Sequence, residues 1–290
     1  MHVIDIGDPA DERLDPFRDL NVADRRPDAG GSGLVIAEGL YVVGRMLVSP
    51  LATMALAGTD AKLGRLRDDL AAEGHSLDAL SGDAPFYRVS NAVLSAVIGF
   101  ASSRDVLAVA PRPAPRMTAD VLGSATATAT ATATTLLVLE GVNNAENLGA
   151  MFRGAAAFGA DGILMGAATA DPWYRRTVRV SMGHVMNVPW ANLGGTPTTW
   201  QRGLAELHDA GFSTIALTPS SDVTLAEAMS RVGAAGGAGK VALLVGAEGP
   251  GLTEHAMRAA TLRAKIPMAA GVDSLNVATT AQIALYERFR

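Results

Sequence analysis

From residue 136 onward the chain alternates short apolar runs with helical stretches, and this alternation limits the fold more than any other feature of its 290 residues. Residues 136–139 (LLVL), 162–165, 214–217 and 241–245 (VALLV) predict strands. Residues 148–158, 200–210, 225–231, 253–260 and 276–289 predict helices between and after them. Strands that are apolar on both faces and separated by helices build a parallel sheet covered on both sides. Ligands of such sheets sit at the carboxyl ends of the strands, so the loops after the strands are where chemistry is expected.

Upstream, residues 124–135 read SATATATATATT, an alternation of small residues that buries little surface and has no turn chemistry. Pro111, Pro113 and Pro115 precede it and suit an extended connector. The expected division is therefore a first domain over 1–115, a linker over 116–135 and a second domain over 136–290. The first domain reads as a small α/β unit. It has helical spacing in the second half of 34–48, a strand at 51–56, a surface helix at 61–73 and a buried strand at 106–110 (VLAVA).

Hydrophobic residues make up 49% of the chain, enough for a buried core, and the absence of cysteine excludes disulfides and thiolate metal sites. His2, His75, His184, His208 and His255 show no metal-ligand spacing. The net charge of −5 argues mildly against a nucleic-acid partner. Two basic clusters stand against that average: Arg175, Arg176 and Arg179, and Lys62, Arg65 and Arg67. Taken alone, each reads as a solvated face balanced by acidic neighbours. The opening MHVIDIGDPADERLD lacks the pattern of a signal peptide, and no apolar run has the length of a membrane span, so a cytoplasmic address is expected.

Three segments following expected strands could hold chemistry. The first, 140–159 (EGVNNAENLGAMFRGAAAFG), passes from a strand through a polar loop into a helix. Asn147 is expected as the cap and Arg153 within the first two turns. The second, 244–252 (LVGAEGPGL), runs from a buried strand into glycines that permit a sharp turn and close approach of a ligand to the backbone. It lacks the Gly-Lys-Ser/Thr of a phosphate loop and the features of a dinucleotide fingerprint. The third, 266–277 (IPMAAGVDSLNV), leads into the closing helix with Ser274 or Asn276 as cap. Each alone is equally well explained as an ordinary loop or helix start.

The ordered set of NNAENLGAMFRGAAAFG, LLVGAEGPGL and IPM with SLNVATTAQIALYE resembles the TrmH/SpoU class of SPOUT methyltransferases. DPWYRRTVRVSMGHV, between the first two, is similar to the Arg-x-Ser-x-Gly stretch of that class. The likeness covers roughly 136–290. More faintly, AEGLYVVGRMLVS and RVSNAVLSAVIGFASSRDVLAVA resemble the ribosomal-protein-like substrate-binding domain that often precedes the catalytic one.

The resemblance implies an α/β chain whose C-terminal SPOUT domain has a parallel sheet and a deep trefoil knot. It implies transfer of a methyl group from S-adenosylmethionine to an RNA ribose 2′-hydroxyl. Ribosomal RNA is favoured over transfer RNA because of the added N-terminal domain. By correspondence of motifs, Gly246, Glu248, Ile266, Met268, Leu275 and Asn276 would hold the cofactor. Arg153 would act on the hydroxyl, with Asn147, Ser274 and Asn276 orienting the ribose and holding Arg153, and Glu248 positioning groups around the site or offsetting local charge. Arginine is a poor general base because its pKa exceeds about 12, so steadying the developing alkoxide and the adjacent phosphate is the preferred role. Arg179 and Ser181 would contact RNA phosphate or close the site. Ala247 stands where the class often has a polar residue, and His184 where a small one is usual; packing is expected for His184. The class acts as homodimers with a composite site. The rival readings are a non-catalytic RNA-binding protein of the same fold and a doubly wound dehydrogenase or nucleotide-binding enzyme.

Overall fold

In the computed structural model, residues 1–18, 20, 33–100, 106–127, 133–234, 236 and 239–290 are described. The strands are β1 (Val3–Asp5), β2 (Leu34–Glu38), β3 (Ala55–Gly58), β4 (Phe86–Arg88), β5 (Val106–Pro111), β6 (Ala133–Glu140), β7 (Gly162–Met165), β8 (Trp190–Asn192), β9 (Ser213–Leu217), β10 (Gly239–Gly246) and β11 (Leu262–Ala264). The helices are α1 (Leu40–Val48), α2 (Asp60–Ala72), α3 (Leu77–Ser81), α4 (Asn91–Ile98), α5 (Thr118–Ala127), α6 (Ala145–Phe158), α7 (Arg175–Val180), α8 (Leu204–Asp209), α9 (Leu225–Arg231), α10 (Glu254–Ala259) and α11 (Val277–Phe289). None of the described helices is long and apolar enough to cross a membrane.

Two compact units result. One joins Met1–Ala114 with Pro172–Asn187, and the other joins Pro115–Asp171 with Val188–Arg290. The first is built on a sheet of order β1-β4-β3-β5-β2, parallel from β1 to β3 and antiparallel across β5. Its strands β2 and β3 are buried along their whole length, as apolar runs require. Helix α7 packs against β2 within this unit. There Glu38, 5% exposed, pairs with Arg175 and lies 3.8 Å from Arg179. The Arg175 guanidinium also stacks over the Phe100 ring. The basic cluster of 175–179 is thus partly neutralised by a buried carboxylate. In the other cluster, Arg65 meets Asp69 one turn along an exposed helix face.

The second unit has a six-stranded, all-parallel sheet in the order β11-β9-β10-β6-β7-β8. The chain winds outward from β6 to β8, then crosses to the other side for β9 and β10. The central strands are buried over Thr134–Glu140 in β6 and Val241–Val245 in β10, each large apolar side chain contributing about 1.5–3 kcal/mol. One face is closed by Val121, Trp200, Leu204, Leu207 and Phe212. Gly166 is required there, since a Cβ would stand 2.7 Å from the Trp200 ring. On α6 and α11 small residues permit close packing: a Cβ on Gly154 would approach Gln282 Cγ to 2.8 Å.

Two local expectations are corrected. Residues 118–127, expected within an extended linker, form α5, whose Val121 is buried in the core of the second unit. The strand after it begins at Ala133, and 128–132 of the same alternation lie outside the described residues. The cap of α6 is Asn144, whose side chain accepts from the backbone N–H of Glu146 and Asn147, so Asn147 lies in the first turn.

Candidate functional site

Beyond the carboxyl ends of β9 and β10 lies a cavity of about 580 Å³. Three chain segments make most of its wall. The end of β10 and the loop after it contribute Gly246 and Glu248, the segment after β11 contributes Ile266 and Met268, and the approach to α11 contributes Ser274, Leu275 and Asn276. The second and third sequence motifs therefore converge here, while no residue of the first is on the wall.

The glycine loop is shaped by its own backbone. Ala247 bridges Gly251, with Gly251 N–H donating to the Ala247 carbonyl at 3.0 Å. Gly249 and Gly251 take φ of 88° and 69°, values that side chains with a Cβ resist. A Cβ on Gly246 would overlap the backbone of Gly251 and Leu252. The turn thus needs glycine at Gly246 for space and at Gly249 and Gly251 for conformation.

Asn276 ties the segments together. Its Oδ1 accepts from the N–H groups of Ala278 and Thr279 at 3.0 and 3.1 Å, capping α11. Its Nδ2 donates to Glu248 Oε1 at 2.7 Å and to Asn147 Oδ1 at 3.0 Å. Both hydrogens of the amide and its oxygen are used, so the side chain has one orientation consistent with all its partners. Asn147, from the first motif, is thereby fixed to the rim although it is not on the wall.

The electrostatics of the cavity are one-sided. Among its lining residues the ionisable side chains are Glu248 and Asp273, both acidic and exposed. Ile266, Met268 and Leu275 supply apolar surface. Such a wall suits a ligand with a flat apolar body and a positive centre, and it disfavours phosphate groups. Among the described residues no group of His, Cys, Asp and Glu could hold a metal ion.

Other expected residues lie elsewhere. Arg153 is on the exposed side of α6, is not on the cavity wall, and takes no hydrogen-bond or ion-pair partner among the described residues. Arg179 and Ser181 belong to the first unit. Ser181 is wholly buried, its Oγ donating to the Val178 carbonyl at 2.9 Å, so the expected phosphate contact is not offered. A Ser hydroxyl that ends a short helix is consumed by the local backbone, which the motif alone does not reveal. Half-buried His184 opens a 3₁₀ turn. The sequence reading missed the end of β9 and the residues after it, Leu217, Thr218, Pro219 and Ser220, which also line the cavity. Their signal was position alone: they follow a parallel strand at its carboxyl end.

The model of the SpoU rRNA Methylase family matches residues 134–286. Over 293 aligned residues the chain is 48% identical to an uncharacterized tRNA/rRNA methyltransferase of Mycobacterium tuberculosis, covering 100% of this chain and 93% of that protein. A 23S rRNA (guanosine-2′-O-)-methyltransferase of Ralstonia nicotianae is 33% identical over 155 residues, 53% of this chain and 58% of its own. Among solved structures, the AdoMet-bound rRNA methyltransferase from Sinorhizobium meliloti superposes with a TM-score of 0.71 at 23% identity, covering 99% of this chain and 97% of that one. The SpoU methyltransferase AviRb from Streptomyces viridochromogenes, in complex with AdoMet, gives a TM-score of 0.73 at 19% identity, covering 97% of each chain.

Proposed function

Because the chain belongs to the SpoU rRNA methylase family, we propose that it transfers the methyl group of S-adenosylmethionine to a ribose 2′-hydroxyl of RNA, ribosomal RNA before transfer RNA. The observation that carries this reading is the single cavity in which Gly246, Glu248, Met268, Ser274 and Asn276 meet from three separate segments. The choice of ribose and of ribosomal RNA leans on the family description and on the Ralstonia relative.

S-adenosylmethionine would supply a methyl group on a positively charged sulfur. Ile266, Met268 and Leu275 would pack the adenine faces, and the backbone of the glycine loop would read its edge. Glu248 and Asp273 would offset the positive charge, and their carboxylates would repel the phosphates of NAD or ATP. With the donor already activated, the protein has to place the attacking oxygen in line and stabilise the charge it develops. Arg153 would do the second, as a permanently charged guanidinium holding the alkoxide and a neighbouring phosphate. Asn147 and Ser274 would orient the ribose, Asn147 being held by Asn276.

Arg153 stands off the wall of its own cavity, exposed and unpartnered among the described residues. In our reading it serves the cavity of a second copy. A homodimer has a surface for this on α11, where Ile283, Tyr286 and Phe289 are 36%, 56% and 41% exposed. The family's trefoil knot belongs to the same proposal; the meeting of the 246–252 loop with Ser274 and Asn276 supports it. The unit containing Met1–Ala114 would dock the RNA, with Arg179 among its phosphate contacts.

The test is transfer of labelled methyl from S-adenosylmethionine to ribosomal and transfer RNA, followed by digestion to nucleosides. Label in 2′-O-methyl nucleosides from ribosomal RNA is expected. Label on a base would overturn the ribose assignment. RNA binding without incorporation would favour a non-catalytic protein.

A further inference from the structure

Glu140 closes β6, an otherwise apolar strand, with a side chain only 6% exposed. Four donors converge on its carboxylate. Trp200 Nε1 at 2.7 Å, Thr253 Oγ1 at 2.9 Å and Gln201 Nε2 at 3.3 Å reach Oε1; the backbone N–H of Thr253 reaches Oε2 at 2.7 Å. A buried carboxylate is costly unless satisfied in this way, so a residue of this kind is held in place by everything around it.

Two of these bonds go to Thr253, the residue at which the chain leaves the glycine loop. Thr253 Oγ1 also caps α10 by accepting from Ala256 N–H at 3.2 Å. The other end of the loop, Gly246, is the register partner of Glu140 in the β6–β10 ladder. One residue therefore stands at both ends of the 246–252 loop, lying beside its entrance in the β6–β10 ladder and holding its exit by its carboxylate. Close by, the backbones of Gly141 and Ala247 approach so tightly that a Cβ on Gly141 would lie 3.1 Å from that of Ala247.

We infer that Glu140 is a positioning residue for the methyl donor: its carboxylate clamps the glycine loop in the shape that receives S-adenosylmethionine. The inference rests on the assignment of that cavity to the donor. It separates Thr253, whose bonds to Glu140 set the loop, from Trp200, whose bond to the same carboxylate belongs to the core.

Glu140→Gln tests it. The amide keeps one acceptor oxygen but turns a donor toward one of the N–H groups, so a loop bond or a core bond must break. Trp200→Phe removes a core bond alone. Affinity for S-adenosylmethionine is measured by calorimetry well below each variant's melting temperature, with KM for donor and for RNA alongside. Glu140→Gln is expected to weaken donor binding by about tenfold or more, the factor a lost hydrogen bond to a charged group represents. Its KM for RNA should stay unchanged. Trp200→Phe should lower the melting temperature while leaving donor affinity within about twofold. Parent-like donor affinity in both Glu140→Gln and Thr253→Ala overturns the clamp, as does equal weakening by Trp200→Phe. If Glu140→Gln fails to fold, Thr253→Ala, which removes one loop bond and keeps the other, should weaken donor binding by about threefold or more; unchanged affinity there also overturns the clamp. A parent protein that takes up no S-adenosylmethionine overturns the cavity assignment instead.

Discussion

The side-chain amide of Asn276 donates to Glu248 Oε1 at 2.7 Å, joining the cap of the closing helix to the glycine loop after β10. The same nitrogen reaches Asn147 in the first motif. Three segments, the first of them more than a hundred residues before the other two, are thus linked at one side chain, and its substitution separates two roles.

Asn276→Ala removes both the cap and the links. It should cost about 1 kcal/mol of stability, the usual value for a lost cap, and weaken donor binding as well. Asn276→Asp keeps the capping oxygen but sets a carboxylate against Glu248. It should melt near the parent temperature and still lose donor affinity. Chemical denaturation and calorimetry on the pair check this; parent-like donor binding in Asn276→Asp would reduce the links to scaffolding.

Gly246→Ala places a methyl where the backbone of Gly251 and Leu252 already lies. Backbone cannot yield as a flexible side chain does, and overpacking of this kind costs about 1–3 kcal/mol. Donor affinity should fall about tenfold or more by calorimetry, with the far-ultraviolet circular dichroism spectrum retained.

Arg153→Ala should lower kcat by about a hundredfold or more, the scale of a lost oxyanion-stabilising donor, and leave donor affinity within about twofold. Arg153→Lys keeps the charge without the planar fork and should recover part of the rate. If Arg153 serves a second copy, mixing Arg153→Ala with Gly246→Ala protomers should restore activity in the mixed dimer. No restoration in any mixture would place Arg153 with its own cavity.

Glu227 belongs to a capping box, accepting from Thr224 N–H at 2.7 Å and Thr224 Oγ1 at 2.9 Å. The backbone hydrogen bond from Thr224, then the one from its hydroxyl, hold its carboxyl below the ordinary value of 4.5. The unfolded chain therefore binds this proton more readily, so the charged cap stabilises the fold above that value and the benefit is lost as pH falls through the lowered folded pKa. Glu227→Gln keeps the box without the charge. Urea melts should show a difference from the parent at neutral pH that disappears at strongly acidic pH; a difference independent of pH would contradict the charge's part.

Much of the second unit is legible in sequence because its strands are apolar on both faces. Residues 162–165 and 225–231 are strand and helix at their expected bounds. The short strands β1, β4 and β8 have only three residues each and too little pattern to declare themselves. Helix α5 was hidden because alternating Ala and Thr have no apolar stripe; its buried Val121 stands before the alternation begins. The segment Pro172–Asn187 joins the unit of Met1–Ala114, through pairing such as that of Glu38 with Arg175, a long-range choice that local spacing does not encode. The site was legible where glycine and asparagine are required by backbone geometry, at Gly246 and Asn276. It was not legible at Ser181, where a polar residue serves its own helix. Glu140 left one sign, an acid at the end of a buried strand, whose meaning depends on Thr253 more than a hundred residues away.

The most direct test of the account is calorimetric titration of the purified protein with S-adenosylmethionine, NAD and ATP in turn. The account predicts binding of S-adenosylmethionine alone, lost in Gly246→Ala. Binding of NAD or ATP with none of S-adenosylmethionine would contradict it.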